Sequence, residues 1–149
     1  MVYQFLLLSN EIDDFVLEVL AHGQNTFLEL HHTISSALNY DPHYLASFIR
    51  TDNDWNPLSE ATLVEMDNNS LIMEDLKIED WCKAPGQKFI YIFDYFSERG
   101  LFIKLLSIQK SELLPAELPQ VLRLSGEIPV QVKRGEKHID DLLDAFSKN

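Results

Sequence analysis

The sequence contains a single cysteine, Cys82, so an internal disulfide is excluded. A lone thiol is typical of proteins kept in a reducing compartment, and we expect a cytoplasmic protein in which Cys82 is buried and inert. No apolar run approaches the roughly 20 residues that a membrane-spanning helix needs. The opening MVYQFLLLSN lacks a basic region and a small-residue cleavage site, which favours a strand over a signal peptide.

Basic residues are also scarce. The chain has 12 Lys and Arg against 24 Asp and Glu, a formal net charge of −12, and Lys133-Arg134 is its only adjacent basic pair. This balance argues against binding to nucleic acid or to anionic lipid. By contrast, 46% of its 149 residues are hydrophobic, enough for one globular domain with its own core.

Recognisable catalytic and metal-binding motifs are missing as well. There is no glycine-rich phosphate loop, no nucleophile elbow and no paired-cysteine metal site. His31 and His32 are neighbours in a predicted helix and point about 100° apart, which favours His31 at the edge of the core and His32 in solvent over a shared metal. Asp52–Asn56 resembles the start of a calcium loop, but Pro57 and Leu63 occupy the positions that need glycine and glutamate. We therefore predict no metal, no cofactor, and a solvated turn that partly buries Trp55.

An amphipathic helix over Thr26–Leu38 organises the predicted fold. One stripe at helical spacing consists of Phe27, Leu30, Ile34, Ala37 and Leu38. Thr26 followed by Glu29 is typical of a capping box. Before this helix, Val2–Leu8 and Phe15–Ala21 have the composition and alternation of a hairpin.

The rest of the chain predicts further strands. We expect strands at Tyr44–Thr51 and Ala61–Met66, a short helix within Leu71–Cys82, and an extended connector with a short strand over Ser111–Gln131. Lys88–Gln109 predicts a hairpin apolar on both faces, which belongs in the middle of a sheet.

The predicted register of that hairpin depends on its turn. With Glu98-Arg99-Gly100 as a three-residue loop and Gly100 left-handed, Asp94 faces Lys104 and Phe96 faces Phe102.

These elements predict an α+β fold, mainly an antiparallel sheet packed on an amphipathic helix with a hairpin–helix–strand opening. We assign residues 1–131 to a single domain and residues 132–149 to a polar linker and an amphipathic tail. The apolar residues of the tail lie at helical spacing: Ile139, Leu142, Leu143 and Phe146.

Several motifs carry a resemblance to a known family. They are Leu30-His31 with Ile34, Tyr40–His43 with Phe48, Phe89–Asp94, and Ser125–Pro129. In this order they resemble the uncharacterised plasmid pRiA ORF-three-like proteins, and Asp94–Arg99 resembles a branch of short Bacteroidales-type members. The resemblance implies an α+β fold with a ubiquitin-like opening and no established activity.

The sequence departs from that family in two places. Many members have Gly-Asp-x-Trp after the hairpin aspartate, where this chain has Tyr95–Gly100. Many end with Pro-Pro-Glu-Asp, where Pro129–Val132 has no acid. A family site that used those acids would be lost here.

Aromatic and arginine side chains are the best candidates for a binding site. Trp55, Tyr95, Phe96 and Phe102, with Arg99 at the hairpin tip, are of the types that anchor protein interfaces. Core packing explains most of these aromatics more simply, so the binding candidates are Trp55, Tyr95 and Arg99, with Asp94 as a candidate acid, base or ion-pair partner. With no catalytic residues recognised, we predict a non-catalytic protein-interaction or regulatory module, with self-association through the tail or an edge strand as a further option.

Two alternatives remain open. One is an enzyme or small-molecule binder that uses Asp94 with His31 and His43. The other is a nucleic-acid-handling protein, which is suggested only by the mobile elements for which relatives are named.

Overall fold

A computed structural model describes residues 1–67 and 71–133. The strands are β1 (Val2–Ser9), β2 (Val16–His22), β3 (Ser47–Thr51), β4 (Pro57–Thr62), β5 (Leu71–Ile72), β6 (Lys88–Asp94), β7 (Arg99–Gln109) and β8 (Gln120–Ser125); the helices are α1 (Phe27–Leu38) and α2 (Ile78–Trp81), with 3₁₀ turns at Met73–Asp75 and Pro115–Glu117. The strands form one open sheet in the order β5-β4-β3-β6-β7-β1-β2-β8. Every pair is antiparallel except β4 with β5. The predicted α+β class is confirmed.

Helix α1 begins and ends as local chemistry dictates. The Glu29 amide donates to Thr26 Oγ1 (3.1 Å) and the Thr26 amide donates to Glu29 Oε1 (3.0 Å), which completes the predicted capping box. The helix ends at Leu38, and the capping residue Asn39 takes the left-handed conformation (φ 57°). The predicted apolar stripe faces the core: four of its five residues are buried and Ala37 is partly buried against them. None of the helices in the described ranges is long and apolar enough to span a membrane.

The hairpin of β6 and β7 lies in the middle of the sheet, as predicted. Alternate residues on one face are buried in the core that also contains α1: Phe89, Tyr91, Phe93, Leu101, Ile103 and Leu105. The opposite face is covered less completely, with Phe102 half-buried and Leu106 exposed.

The predicted register of this hairpin is wrong. Asp94 pairs with Arg99, and Lys104 pairs with Lys88. The loop is residues 95–98, so Phe96 lies in the loop and Phe102 pairs with Ile90. The left-handed residue is Glu98 (φ 53°), not Gly100.

Gly100 instead permits close packing within the hairpin. A Cβ at Gly100 would lie 2.7 Å from the carbonyl oxygen of Tyr91, closer than real Cβ atoms come. The physical reason for the altered register is that hydrogen bonds to Glu11, Val130 and Gln131 hold the buried Arg99 side chain at the start of β7.

Two predicted strand boundaries also move. Strand β3 begins at Ser47 rather than Tyr44, and β4 spans Pro57–Thr62 rather than Ala61–Met66. The Asp52 carboxylate accepts hydrogen bonds from the amides of Asp54 (2.8 Å) and Asn56 (2.9 Å), and this tight turn starts β4 early.

The predicted short helix and connector strand are present in the structure, whereas the predicted tail is not described by it. Between β5 and residue 82, the predicted short helix is Ile78–Trp81, and the predicted connector contains β8 at the sheet edge. The amphipathic tail, with Ile139 and Phe146, lies outside the described residues.

Candidate functional site

The loop between β6 and β7 exposes a large aromatic side chain. Phe96 is 83% exposed, and its ring makes an edge contact with the half-buried Tyr95 (centroids 5.6 Å apart). Tyr44 and Val132, from distant parts of the chain, are also exposed and line a depression together with Tyr95 and Phe96. We call these four residues the tip surface.

Two depressions share the Tyr95 side chain. The first, here the apolar depression, has a volume of about 280 Å³ and is lined by the tip surface with Leu45, Phe93 and Asp94. The second, here the acidic depression, has a volume of about 410 Å³. Its lining residues are Ile49, Pro57, Glu60, Ile92, Tyr95 and Glu98.

The acidic depression lies on the sheet face that points away from α1. Ile49 pairs with Glu60 across β3 and β4, and Ile92 follows the buried Tyr91, whose ring faces the core. Burial raises the pKa of Tyr95, and the carboxylates of Glu60 and Asp67 raise it further. The surroundings of Tyr95 on this side are therefore electronegative.

Arg99 anchors the base of the tip. Its side chain is only 8% exposed, and its guanidinium lies 4.9 Å from the centre of the Phe93 ring. Nε donates to Glu11 Oε2 (2.9 Å) and Nη2 donates to Glu11 Oε1 (2.8 Å), while Nη1 donates to Asp94 Oδ2 (3.0 Å). The Arg99 guanidinium holds the pKa of Glu11 below its usual value.

The remaining donors of Arg99 hold the segment after β8. Nη2 donates to the carbonyl of Val130 (2.7 Å), and Nη1 donates to the carbonyl of Gln131 (3.0 Å). All five N–H groups of the guanidinium are thus used. Arg99 therefore has no N–H group left for a ligand, whereas Asp94, which accepts from Arg99 through Oδ2, also lines the apolar depression.

Further contacts fix the chain segment that leads to Val132, at the edge of the apolar depression. Tyr40 donates its hydroxyl proton to the carbonyl of Pro129. The Gln131 side chain accepts from the amide of Asp41 (2.8 Å) and donates to the carbonyl of Asp41 (2.9 Å). The segment on either side of Gln131 is therefore held at several points before the chain reaches Val132.

Trp55 lies apart from these groups, in the turn between β3 and β4. Its ring contacts Phe102 edge-on (5.0 Å), and Lys88 Nζ lies 5.0 Å above it. Trp55 is half-buried, as predicted for a solvated turn, and lines neither depression. Of the four predicted binding residues, the structure brings together Asp94, Tyr95 and Arg99.

In the predicted alternative site, neither His31 nor His43 forms a hydrogen bond with Asp94. His31 is buried, with Nε2 2.9 Å from the carbonyl of Pro42 and Nδ1 2.8 Å from the Tyr91 hydroxyl. A carbonyl only accepts, so Nε2 carries the proton and Nδ1 accepts from Tyr91. His43 is exposed and pairs with Asp41 (3.1 Å). Burial lowers the pKa of His31 and favours the neutral ring.

The single cysteine is buried as well. Burial raises the pKa of the Cys82 thiol to about 12, which keeps it protonated. Across residues 1–67 and 71–133, no three His, Cys, Asp or Glu side chains are placed to hold a metal ion. The tip combines the exposed rings of Tyr44 and Phe96 with a base in which every N–H group of the Arg99 guanidinium is hydrogen-bonded.

Part of this site is not predictable from the sequence. The predicted register makes Phe96 face Phe102 within the sheet, and no local pattern marks Tyr44, Val132, Glu60 or Glu98. The one available clue was the polar Ser97-Glu98 after Phe96, which is compatible with a four-residue loop. Tyr44 and Val132 reach the tip only through tertiary contacts, for which the sequence gives no local clue.

Comparison with known proteins agrees with the motifs. The model of the plasmid pRiA4b ORF-3-like protein family matches residues 7–149. The chain belongs to this family. A crystal structure of the protein of unknown function MM3350 from Methanosarcina mazei Go1 is similar to this pRiA4b ORF-3-like chain, with a TM-score of 0.64 and 19% identity over 83% of this chain and 68% of the other. At this identity the likeness supports the fold alone. No curated protein matches the sequence.

Proposed function

We propose that this pRiA4b ORF-3-like protein is a non-catalytic protein-interaction module that binds an apolar segment of another protein at its tip surface. The observation that carries the proposal is the exposure of Phe96 beside the apolar depression. Fully burying a phenylalanine side chain that was exposed contributes about 1.5–3 kcal/mol, which is the gain expected when a partner covers Phe96.

The base of the tip supports the same function. Arg99 connects the β6–β7 hairpin to Glu11 and to the backbone of Val130 and Gln131, so three separate stretches of chain meet at the base of the hairpin loop that carries Phe96. A surface that is ordered before binding loses less conformational entropy when a partner arrives. The aromatic residues Tyr44, Tyr95 and Phe96 are also of the type enriched at interface hot spots.

The proposal is tested by affinity capture with the full chain. Tagged wild-type protein, Phe96→Asp and the control Leu114→Asp are used to capture proteins from an extract of the source cells; Leu114 is also exposed (63%) but lies before β8. Each captured protein is then purified, and its affinity for the three variants is measured.

The proposal predicts a protein that binds wild type and Leu114→Asp equally and binds Phe96→Asp at least about tenfold more weakly, since a charge cannot enter an apolar contact. Urea unfolding must show that Phe96→Asp is as stable as wild type. Equal affinity for Phe96→Asp, or no partner for any variant, would refute the proposal.

The tail is a second predicted contact. Repeating the capture with Leu143→Asp and Phe146→Asp together tests whether the apolar stripe of residues 139–146 takes part in binding. A loss of binding in this variant but not in Phe96→Asp would move the contact from the tip surface to the tail.

A further inference from the structure

We infer that the acidic depression receives a lysine or arginine side chain of the partner, next to the apolar residue that covers Phe96. This inference rests on the proposed function and specifies the chemistry of the partner: a short protein segment in which basic and apolar side chains are neighbours. Three features of the depression support it.

The first feature is the apolar floor. Ile49 and Ile92 lie on neighbouring strands with their side chains on the same sheet face, and Pro57 flanks them. A lysine or arginine side chain can lay its methylene groups along such a floor and still keep its charged end at the polar rim. A volume of about 410 Å³ leaves room for one long side chain.

The second feature is the pair of carboxylates at the rim. Glu60 Oε2 accepts a hydrogen bond from the Ser47 hydroxyl (2.8 Å), which fixes the carboxylate. Glu98 is exposed at the end of the loop. Within the described parts of the chain, neither Glu60 nor Glu98 forms an ion pair, and no lysine or arginine lines the depression. The charge of these two groups is therefore available to a partner.

The third feature is the position of Tyr95 between the depressions. Tyr95 lines both depressions, so one extended segment that places an apolar side chain against Phe96 can place a neighbouring side chain against Glu60 and Glu98. The net charge of −12 on the whole chain adds a long-range preference for a basic partner.

The test uses three synthetic peptides, acetylated and amidated, with the sequences GKFKG, GQFQG and GEFEG. They are titrated into ¹⁵N,¹³C-labelled full-length protein, and the dissociation constants come from the NMR shifts of the Ile49, Ile92 and Tyr95 side chains. The same titrations are made with the double variant Glu60→Gln, Glu98→Gln. The control Glu112→Gln, Glu127→Gln removes the same charge from exposed positions outside both depressions.

The inference predicts that GKFKG binds wild type and the control at least about threefold more tightly than GQFQG, and that GEFEG binds most weakly. The preference disappears in Glu60→Gln, Glu98→Gln and shrinks as salt is raised. Equal binding of all three peptides at the tip would overturn the charge preference while leaving the proposed function intact. Shifts confined to another surface, or a preference that survives in Glu60→Gln, Glu98→Gln, would overturn the inference.

Discussion

Arg99 at the start of β7 forms a two-point contact with Glu11, 88 residues earlier in the chain. Nε and Nη2 of Arg99 lie 2.9 and 2.8 Å from the two carboxylate oxygens of Glu11. This pair joins the β1–β2 connection to the hairpin that carries Phe96. A planar guanidinium suits a carboxylate held at two points, and a lysine could not reproduce the geometry.

Replacing Arg99 should therefore destabilise the whole domain. Arg99→Lys keeps the charge but loses most of the five hydrogen bonds, and we expect the free energy of unfolding to fall by about 2–4 kcal/mol. Urea unfolding followed by circular dichroism measures this change. The control Arg123→Lys, at an exposed position on β8, should cost less than about 0.5 kcal/mol. A cost for Arg99→Lys as small as that of the control would contradict the role given to Arg99.

The contact between Arg99 and Glu11 should also make the free energy of unfolding depend on pH. The Arg99 side chain lowers the pKa of Glu11 in the folded protein below the usual 4.5. A depressed carboxyl pKa contributes stability that is fully present above the unfolded value and is lost as the pH falls from about 4.5 through the folded pKa. Urea unfolding between pH 7 and pH 3 should show this loss in wild type and a smaller loss in Glu11→Gln. Identical pH profiles would rule out the contribution of Glu11.

The buried His31 should cause a further loss of stability on acidification, in a pH range above that of Glu11. Burial lowers the pKa of His31 below 6.5, so the unfolded chain takes up a proton that the folded chain resists. Stability should fall as the pH decreases from about 6.5 towards the lower folded pKa. NMR titration should show the His31 ring taking up its proton at a pH below the usual 6.5. In unfolding experiments, His31→Gln should lose this part of the pH dependence and His32→Gln should keep it; the reverse pattern would disprove the assignment.

Local patterns in the sequence predicted a large part of the fold. The apolar stripe of α1, its capping box at Thr26 and Glu29, and the apolar faces of Lys88–Gln109 depend on residues close together in the chain. They were confirmed because no distant contact competes with them.

Contacts between distant residues account for the errors. The glycine at position 100 favoured a three-residue loop, but Glu11, Val130 and Gln131 hold Arg99 in the strand and shift the turn to residues 95–98. The spacing of residues within the hairpin gives no information about these distant partners, so the predicted pairing of Asp94 with Lys104 was wrong. The same limitation hid most of the tip surface, since Tyr44 and Val132 lie far from Phe96 in sequence.

The close approach at Gly100 gives a further prediction. A Cβ added at position 100 would lie 2.7 Å from the Tyr91 carbonyl oxygen and 3.0 Å from Ile90 Cγ2. The substitution Gly100→Ala must therefore push β6 and β7 apart. We expect a cost of about 1–3 kcal/mol in the free energy of unfolding. Ser97→Ala, in the exposed loop, is the matched control and should change stability by less than about 0.5 kcal/mol. If Gly100→Ala proves as stable as wild type, the close packing described for β6 and β7 is incorrect.

The most direct test of the proposed interaction is the dissociation constant between the purified chain and its captured partner. For wild type, Phe96→Ala and Leu114→Ala, we predict that the Phe96 truncation weakens binding about 30-fold, equivalent to about 2 kcal/mol, because a hot-spot aromatic is removed. Leu114→Ala should stay within about twofold of wild type. A dissociation constant for Phe96→Ala that equals the wild-type value would contradict the account.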